Sequence, residues 1–305
     1  MKNEFIIERG CTVKEFLSAE LHLSAKLTTH LKRLEDGILL NGVRVTVRAV
    51  MQKGDVLTLK LRDEAESEKL LPVELDFDIL YEDEDILLVS KPAGMPTHPS
   101  LNHYDDTLAN AVAFYYKKKG EPFVFRAANR LDGDTSGVLL IAKNRCAAAN
   151  LSHSLKNGEV EKTYLALLSS LPEKKSGRIT SYIRRKEGSV LLREVTEAKE
   201  GADLAVTDYE VIGMGEGVCL AKVTPLTGRT HQIRVHMQSI GAALLGDHLY
   251  GDETTFPRQA LHAYCLSFPH PMTKERITVT APLPDDMSDY IKSNINVNFG
   301  LLNIT

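Results

Sequence analysis

Three polar segments interrupt stretches where apolar neighbours lead one to expect core, and each carries side chains able to do chemistry. In residues 129–142, Arg130 and Asp132 come just before an apolar run that reads as a buried strand. Gly133 and Gly137 permit sharp turns and close backbone approach, while Thr135 and Ser136 offer hydroxyls that can donate to a carboxylate. A carboxylate held by donors or a cation stays ionised and can serve as nucleophile or base. The plainer reading is an Asx-type turn at a strand end. In residues 161–168, a period of two puts Lys162, Tyr164 and Ala166 on one face of a strand. A tyrosine in such a setting is more often core than catalyst. In residues 224–236 a strand ends, Gly228 turns, and a helix begins near Thr230, with His231, Arg234 and Gln238 on one face. An arginine in a first helical turn opposes the helix dipole, which favours anions there. A specific carboxylate or phosphate partner is therefore expected for Arg234. His231 and His236, five residues apart, point to different faces. No carboxylate or cysteine nearby completes a ligand set, so no metal site is expected.

The elements that must hold these segments read as strands over 77–81, 86–90, 138–142, 163–168, 202–212 and 218–223, with helices over 107–119, 144–157 and 230–240. Short turns such as G-M-G-E-G at 213–217 join neighbouring strands. That favours an α+β fold with a mixed, largely antiparallel sheet and helices packed on it, rather than alternating βαβ units. Ahead of it, residues 1–62 read as a separate small α/β module, built largely from residue 8 onward. Thr12 with Glu15 makes a capping box opening a helix through Glu20. Ser24 caps a second helix with Leu27, Leu31 and Leu34 inside, and Gly37 ends it. Residues 38–45 form a hairpin turning at Asn41-Gly42, and a last strand covers 56–61. Lys26, His30 and Arg33 make a stripe outside the leucines, which on spacing alone is a solvated face. Residues 63–74, D-E-A-E-S-E-K-L-L-P-V-E, read as an acidic linker, and the tail beyond Asn294 as an ordinary terminus.

The chain has 305 residues and a net charge of −4, awkward for a nucleic-acid binder until its distribution is read. Residues 1–63 carry 11 Lys+Arg against 8 Asp+Glu, whereas residues 64–98 carry 2 against 10. The acidity thus sits in one connecting stretch. Cys11, Cys146, Cys219 and Cys265 form no C-x-x-C pair, which argues against a zinc ribbon or disulfide framework and fits a reducing cytoplasm. No apolar run approaches the ~20 residues that span a bilayer, so no membrane association is expected. There is no G-x-S-x-G elbow and no G-x-x-x-x-G-K-[ST] loop, which speaks against hydrolase and nucleotide-dependent chemistry.

Taken together, the motifs resemble the RluA-type family of pseudouridine synthases, which modify ribosomal and transfer RNA. They are Y-E-D-E-D-I-L-L-V-S-K-P-A-G-M-P-T-H-P (81–99), R-L-D-G-D-T-S-G (130–137), K-T-Y (162–164), G-R-T-H-Q-I-R-V-H (228–236), G-D-H-L-Y-G (246–251) and Q-A-L-H-A (259–263). Their order and spacing make residues 75–305 the catalytic domain. Residues 8–62 resemble the small RNA-binding module of ribosomal small-subunit protein four, which implies that Lys26 and Arg33 face RNA. The resemblance implies an isomerase without cofactor: Asp132 the catalytic aspartate, Tyr164 the active-site tyrosine, Arg234 the arginine paired with the aspartate. It further implies that Arg130 enters the RNA stack when the base is flipped out, and that Arg229, Lys162, Thr135 and His231 contact substrate. The family's usual histidine before R-L-D is Asn129 here. Large-subunit ribosomal RNA is the expected substrate, with transfer RNA, or non-catalytic RNA binding on the same fold, as alternatives. No protein partner is implied, and a monomer is the default. Arg234→Ala is expected to abolish turnover while the domain stays folded.

Overall fold

Local signals set the first elements of the computed structural model, which describes residues 3–61, 70–251 and 256–297. The chain opens with β1 (Asn3–Ile6) and β2 (Cys11–Thr12). Thr12 and Glu15 then cap each other's backbone to start α1 (Val13–Glu15), which continues as a π-helical turn, Phe16–Glu20. Ser24 accepts from the Leu27 N–H to open α2 (Ala25–Arg33), burying Leu27 and Leu31. Leu34, expected within the helix, is instead its extended C-cap. Asn41 and Gly42, with φ of 50° and 80°, turn β3 (Ile38–Leu40) into β4 (Val43–Arg44). After β5 (Val50–Met51) comes β6 (Val56–Leu59), giving an antiparallel sheet ordered β1-β6-β3-β4, with β2 paired to β5. The reading from residue 8 onward left out β1, whose four residues carry no turn signal at either end to mark a strand. Residues 62–69, the bulk of the expected linker, lie outside the described residues.

The larger sheet takes in β7 (Asp78–Glu82), β8 (Ile86–Lys91), β9 (Ser136–Ala142), β10 (Glu161–Leu168), β11 (Ser176–Arg185), β12 (Arg193–Thr196), β13 (Asp203–Met214), β14 (Cys219–Pro225), β15 (Leu261–Pro269), β16 (Arg276–Thr280) and β17 (Asn296–Val297). Its main order is β12-β11-β13-β14-β10-β15-β9-β8-β7, with β16 added to β15 and β17 to β13. The tail expected to be plain terminus thus adds a short edge strand; beyond Val297 it lies outside the described residues. Among the described strands only β9 and β15 pair in parallel. There Gly137, at φ 113°, faces Ala263, and a Cβ would overlap the Ala263 carbonyl. The strands are joined by α3 (Leu108–Lys119), α4 (Arg145–Lys156), α5 (Gln232–Ser239) and α6 (Asp285–Asn294).

The period of two distributes the core onto both faces. Leu87, Val89, Leu139, Ile141, Tyr164 and Ala166 face α3 and α5, packing on Leu108, Val112, Ile233 and Met237. Ile86, Leu88, Val138 and Leu140 face α4 through Ala147 and Leu151, while Leu165 and Leu167 face Met287 and Ile291 of α6. With both faces covered, β9 is buried at every position and reads as an unbroken apolar run.

The N-terminal module rests on α4. Cys146 joins the module's own core. Asn150 donates to the Leu21 carbonyl at 2.9 Å and accepts from Lys274 at 2.7 Å, and the His22 and His153 rings stack with centroids 3.6 Å apart.

Two histidines buried in the larger domain tie acid stability to the fold. His236 is hydrogen-bonded to Thr207 and Ser181, His262 to Ser136, and burial pushes both down to about 4. The folded form therefore holds them neutral, so their contribution is intact above the ordinary histidine value and is lost as pH falls from about 6.5 to about 4. Each should cost about 3 kcal/mol of stability by pH 4. Urea unfolding followed from neutral to acid pH should show the midpoint falling through this window. A flat midpoint would contradict neutral burial.

Candidate active site

The end of β14, the start of α5, the Tyr164 end of β10 and the turn before β9 enclose a cavity of about 890 Å³, with Asp132, Tyr164 and Arg234 in its wall. The turn and the exposed carboxylate coexist. The Thr135 N–H closes the backbone onto the Asp132 carbonyl at 3.1 Å, which leaves the side chain, 29% exposed, to meet Arg234. Arg234 Nη1 donates to Asp132 Oδ2 at 3.2 Å. The same guanidinium donates through Nε and Nη2 to the two oxygens of Asp247, both at 2.7 Å, and lies over the Tyr250 ring. Asp247, fully buried, also accepts from the backbone N–H groups of Leu249 and Tyr250. Gly246 makes the approach possible: at φ 67° a Cβ would overlap the Phe256 and Arg258 carbonyls. Burial alone would lower the Arg234 pKa, but its bonds to Asp247 reverse the effect and raise it. Arg234 is thus a fixed charge at the first turn of α5, held there by two carboxylates as its unfavourable position required.

Tyr164 is nearly buried, and its hydroxyl is pushed up by burial and then by the negative charge of Asp132. His231 is not on the helix face expected for it. It is the N-cap of α5, left-handed at φ 56°, and the helix starts only at Gln232. Its Nδ1 is hydrogen-bonded to the Tyr250 hydroxyl at 2.9 Å, and its Nε2 stands 3.9 Å from Asp132 Oδ2. Gln238 is exposed at the far end and does not line the cavity. Neither expected hydroxyl serves Asp132: Ser136 is bonded to His262, and the buried Thr135 hydroxyl at the cavity wall has no partner.

Lys162 lies at the wall, donating to the Thr227 carbonyl at 3.3 Å, with its pKa lowered by burial. Arg130 is exposed at the rim. Arg229 also reaches the cavity but is partly engaged by the Leu204 carbonyl and Asp203. Asn129 accepts from the Leu140 N–H and donates to the Val138 carbonyl, so its amide pairs with the backbone of β9. Lys26 and Arg33 are not part of this cavity; they line a separate groove between α2 and α4.

Three residues escaped the sequence reading. Asp247 and Tyr250 lie in the G-D-H-L-Y-G motif, which marked the place but not their roles. The third, Lys91, is completely buried, and its ammonium donates to the carbonyls of Pro92, Met95 and Gly133 at 2.6–2.8 Å. Burial pushes its pKa down to about 7, yet the three carbonyls take all three ammonium donors. It ties the end of β8 to the residue after Asp132. Away from the cavity, the ligand atoms of Asp83, Asp85 and His270 come close enough together to hold an ion. Asp83 is already engaged there by the N–H groups of Asp85 and Ile86 and by the Tyr81 hydroxyl.

Residues 85–239 match the family model described as RNA pseudouridylate synthase. Among curated proteins, the chain is 39% identical over 282 residues to "Uncharacterized RNA pseudouridine synthase YjbO" of Bacillus subtilis, covering 92% of this chain and 98% of that protein. It is 36% identical over 231 residues to "Ribosomal large subunit pseudouridine synthase D" of Zymomonas mobilis, covering 71% of this chain and 72% of that one. Among solved structures, "Human RNA Pseudouridylate Synthase Domain Containing 1" superposes with a TM-score of 0.58 at 30% identity, over 68% of this chain and 84% of that one. The mixed sheet and these relatives define an isomerase acting on RNA. The chain belongs to the RNA pseudouridylate synthase family.

Proposed function

We propose that the chain converts specific uridines of large-subunit ribosomal RNA to pseudouridine, with Asp132 as the catalytic carboxylate. The observation that carries this reading is the Asp132–Arg234 pair at the cavity wall, with Arg234 immobilised from behind by Asp247. The reaction breaks the bond from ribose C1′ to uracil N1, turns the base, and joins C1′ to C5, whose proton is released while N1 takes one up. It is redox-neutral. It needs a carboxylate at the ribose–base junction, which either attacks carbon or removes a sugar proton. A guanidinium that is 3% exposed and fixed from behind by Asp247 holds that carboxylate without reorganising during the reaction. Tyr164 stacks on the extracted uracil, and its hydroxyl, kept protonated by burial, can hand over a proton late in the cycle. Extracting a base costs a few kcal/mol, which Arg130 offsets by filling the vacated place in the stack.

The relative named as a ribosomal large-subunit synthase supports the choice of RNA. The α2 surface with Lys26 and Arg33 supports a second RNA contact outside the catalytic domain. All four cysteines are free, which fits work in a reducing cytoplasm, and among the described residues no helix is long and apolar enough to cross a membrane. Lys26→Ala with Arg33→Ala is expected to weaken RNA binding and to flatten the plot of log affinity against log salt by about two, leaving turnover at saturating RNA unchanged. Filter binding across a salt series checks this, and an unaltered slope would remove α2 from the RNA-binding surface. The function is tested by pseudouridine mapping, through carbodiimide-dependent reverse-transcription stops, on total RNA from a deletion strain. Sites in large-subunit ribosomal RNA should lose their signal and regain it only with wild type, not with Asp132→Asn. A signal lost in transfer RNA instead would overturn the substrate choice.

A further inference from the structure

Two residues outside the catalytic set, Gln232 and Tyr250, fix how His231 meets the cavity. The buried Gln232 side chain accepts from the Arg229 N–H at 2.9 Å and from the Thr227 hydroxyl at 2.7 Å. Its amide nitrogen donates to the Val206 carbonyl and the Thr207 hydroxyl, both at 2.9 Å. Both donors and both acceptor positions of the carboxamide are thus spent on closing the turn ahead of α5. The preceding residue, His231, is left in the left-handed backbone at φ 56°, a strain that local bonding must hold, and its ring meets Tyr250. Tyr250 is itself anchored from three sides. Its ring lies 5.1 Å from the Arg234 guanidinium, its backbone N–H donates to Asp247, and its hydroxyl accepts from the Arg193 N–H of β12 at 2.8 Å.

This network decides which nitrogen of His231 carries hydrogen. A peptide N–H only donates, so toward Arg193 the Tyr250 oxygen is an acceptor. Among the described residues the other partner of that hydroxyl is His231 Nδ1 at 2.9 Å, so the single phenol hydrogen points there and Nδ1 accepts it. A neutral imidazole that accepts at Nδ1 carries its own hydrogen on Nε2. A second proton is disfavoured: burial lowers the His231 pKa, Arg234 and Arg193 add to the effect, and Asp132 and Asp247 oppose it without reversing it. Nε2 stands 3.9 Å from Asp132 Oδ2, the same oxygen that accepts from Arg234 at 3.2 Å. A movement of about 1 Å brings Nε2 to hydrogen-bond length. Among the described residues no hydrogen bond or ion pair reaches the other oxygen, Oδ1.

We infer that Tyr250 is a positioning residue: its hydroxyl holds His231 with the hydrogen on Nε2, and that N–H joins Arg234 in holding Asp132 Oδ2, which leaves Oδ1 to react with the ribose. His231 then serves as a neutral donor and not as a base. The inference rests on the reading of Asp132 as the catalytic carboxylate. It adds the oxygen that reacts, the tautomer beside it, and a tie from the site to β12.

The first test is nitrogen NMR of the full chain carrying isotope-labelled histidine, with His231→Gln identifying the His231 signals among those of the 10 histidines. At neutral pH Nε2 should resonate as a protonated ring nitrogen and Nδ1 as an unprotonated one. Tyr250→Phe should move the Nδ1 signal downfield, because that nitrogen loses its donor. A hydrogen found on Nδ1, or an Nδ1 signal that Tyr250→Phe does not move, would overturn the inference. The second test is tritium release from total RNA of a deletion strain, labelled at uridine C5. His231→Leu keeps the bulk and loses the donor, so kcat should fall by about a hundredfold at unchanged KM. His231→Gln places an amide N–H where Nε2 stood and should stay within about tenfold of wild type, while Tyr250→Phe should lower kcat by about tenfold. Equal losses in the leucine and glutamine variants would mark a merely structural histidine, and a rise in KM alone would put His231 on the RNA. Either result sinks the proposal. Asp132→Asn in the same assay keeps the two readings apart. If it turns over, the reading of Asp132 fails; if it is inactive while His231→Leu matches wild type, only the role of Tyr250 and His231 fails.

Discussion

Asp132→Asn should lower turnover by about four orders of magnitude or more, because it removes the one carboxylate among the described residues that line the cavity. The variant should fold normally. The side chain makes one bond to Arg234, which an asparagine oxygen can still accept, and the turn is closed by backbone from Thr135 to Asp132. The stability change should stay within about 1 kcal/mol, because the side chain is 29% exposed and asparagine leaves the Arg234–Asp247 pair intact. Tritium release from RNA labelled at uridine C5 reads turnover directly, since that hydrogen leaves when C5 takes the glycosidic bond. Turnover within tenfold of wild type would exclude Asp132 as the catalytic carboxylate.

Arg234→Ala should also abolish turnover, but not with an unperturbed fold. Arg234 and Asp247 are respectively 3% and 0% exposed and joined by two charge-assisted bonds, so alanine strands a buried carboxylate. Breaking such a pair costs about 3–5 kcal/mol. This differs from the expectation of a folded, merely inactive variant, because the arginine meets Asp247 as well as Asp132. Replacing both partners by apolar residues, Arg234→Met with Asp247→Leu, should recover most of the stability and none of the activity. Urea unfolding and tritium release, measured on all three proteins, separate the two effects. A single variant losing less than about 1 kcal/mol would mean that Asp247 is satisfied without the arginine.

What the sequence made readable were the parts with a local signature. Period two placed Tyr164 and Ala166 on one face of β10 and Leu165 and Leu167 on the other. The Asn41-Gly42 turn and the Thr12–Glu15 box appear as expected. The arginine misplaced against its helix dipole pointed to a carboxylate or phosphate partner, and the structure gives it two carboxylates. The resemblance named Asp132, but the part of Asp247 was not readable, because an aspartate in a turn looks the same whether it caps its own backbone or reaches an arginine thirteen residues earlier. Lys91 escaped because its partners are carbonyls, which every residue carries. His231 was put on the wrong side of a helix start because its left-handed backbone is rare for any residue but glycine. β11 and β12 escaped because many of their positions are exposed or half-buried, which blurs the alternation that marks a strand.

The parallel pairing of β9 with β15 sets a timetable for the protein's own synthesis. Ser136, four residues after Asp132, is bonded to His262, 126 positions later in the chain. A loop that long closes late, once its distant end is available to reward the lost freedom. A nascent chain that already contains Asp132, Tyr164 and Arg234 therefore lacks the strand against which the turn at Asp132 is set until β15 has left the ribosome.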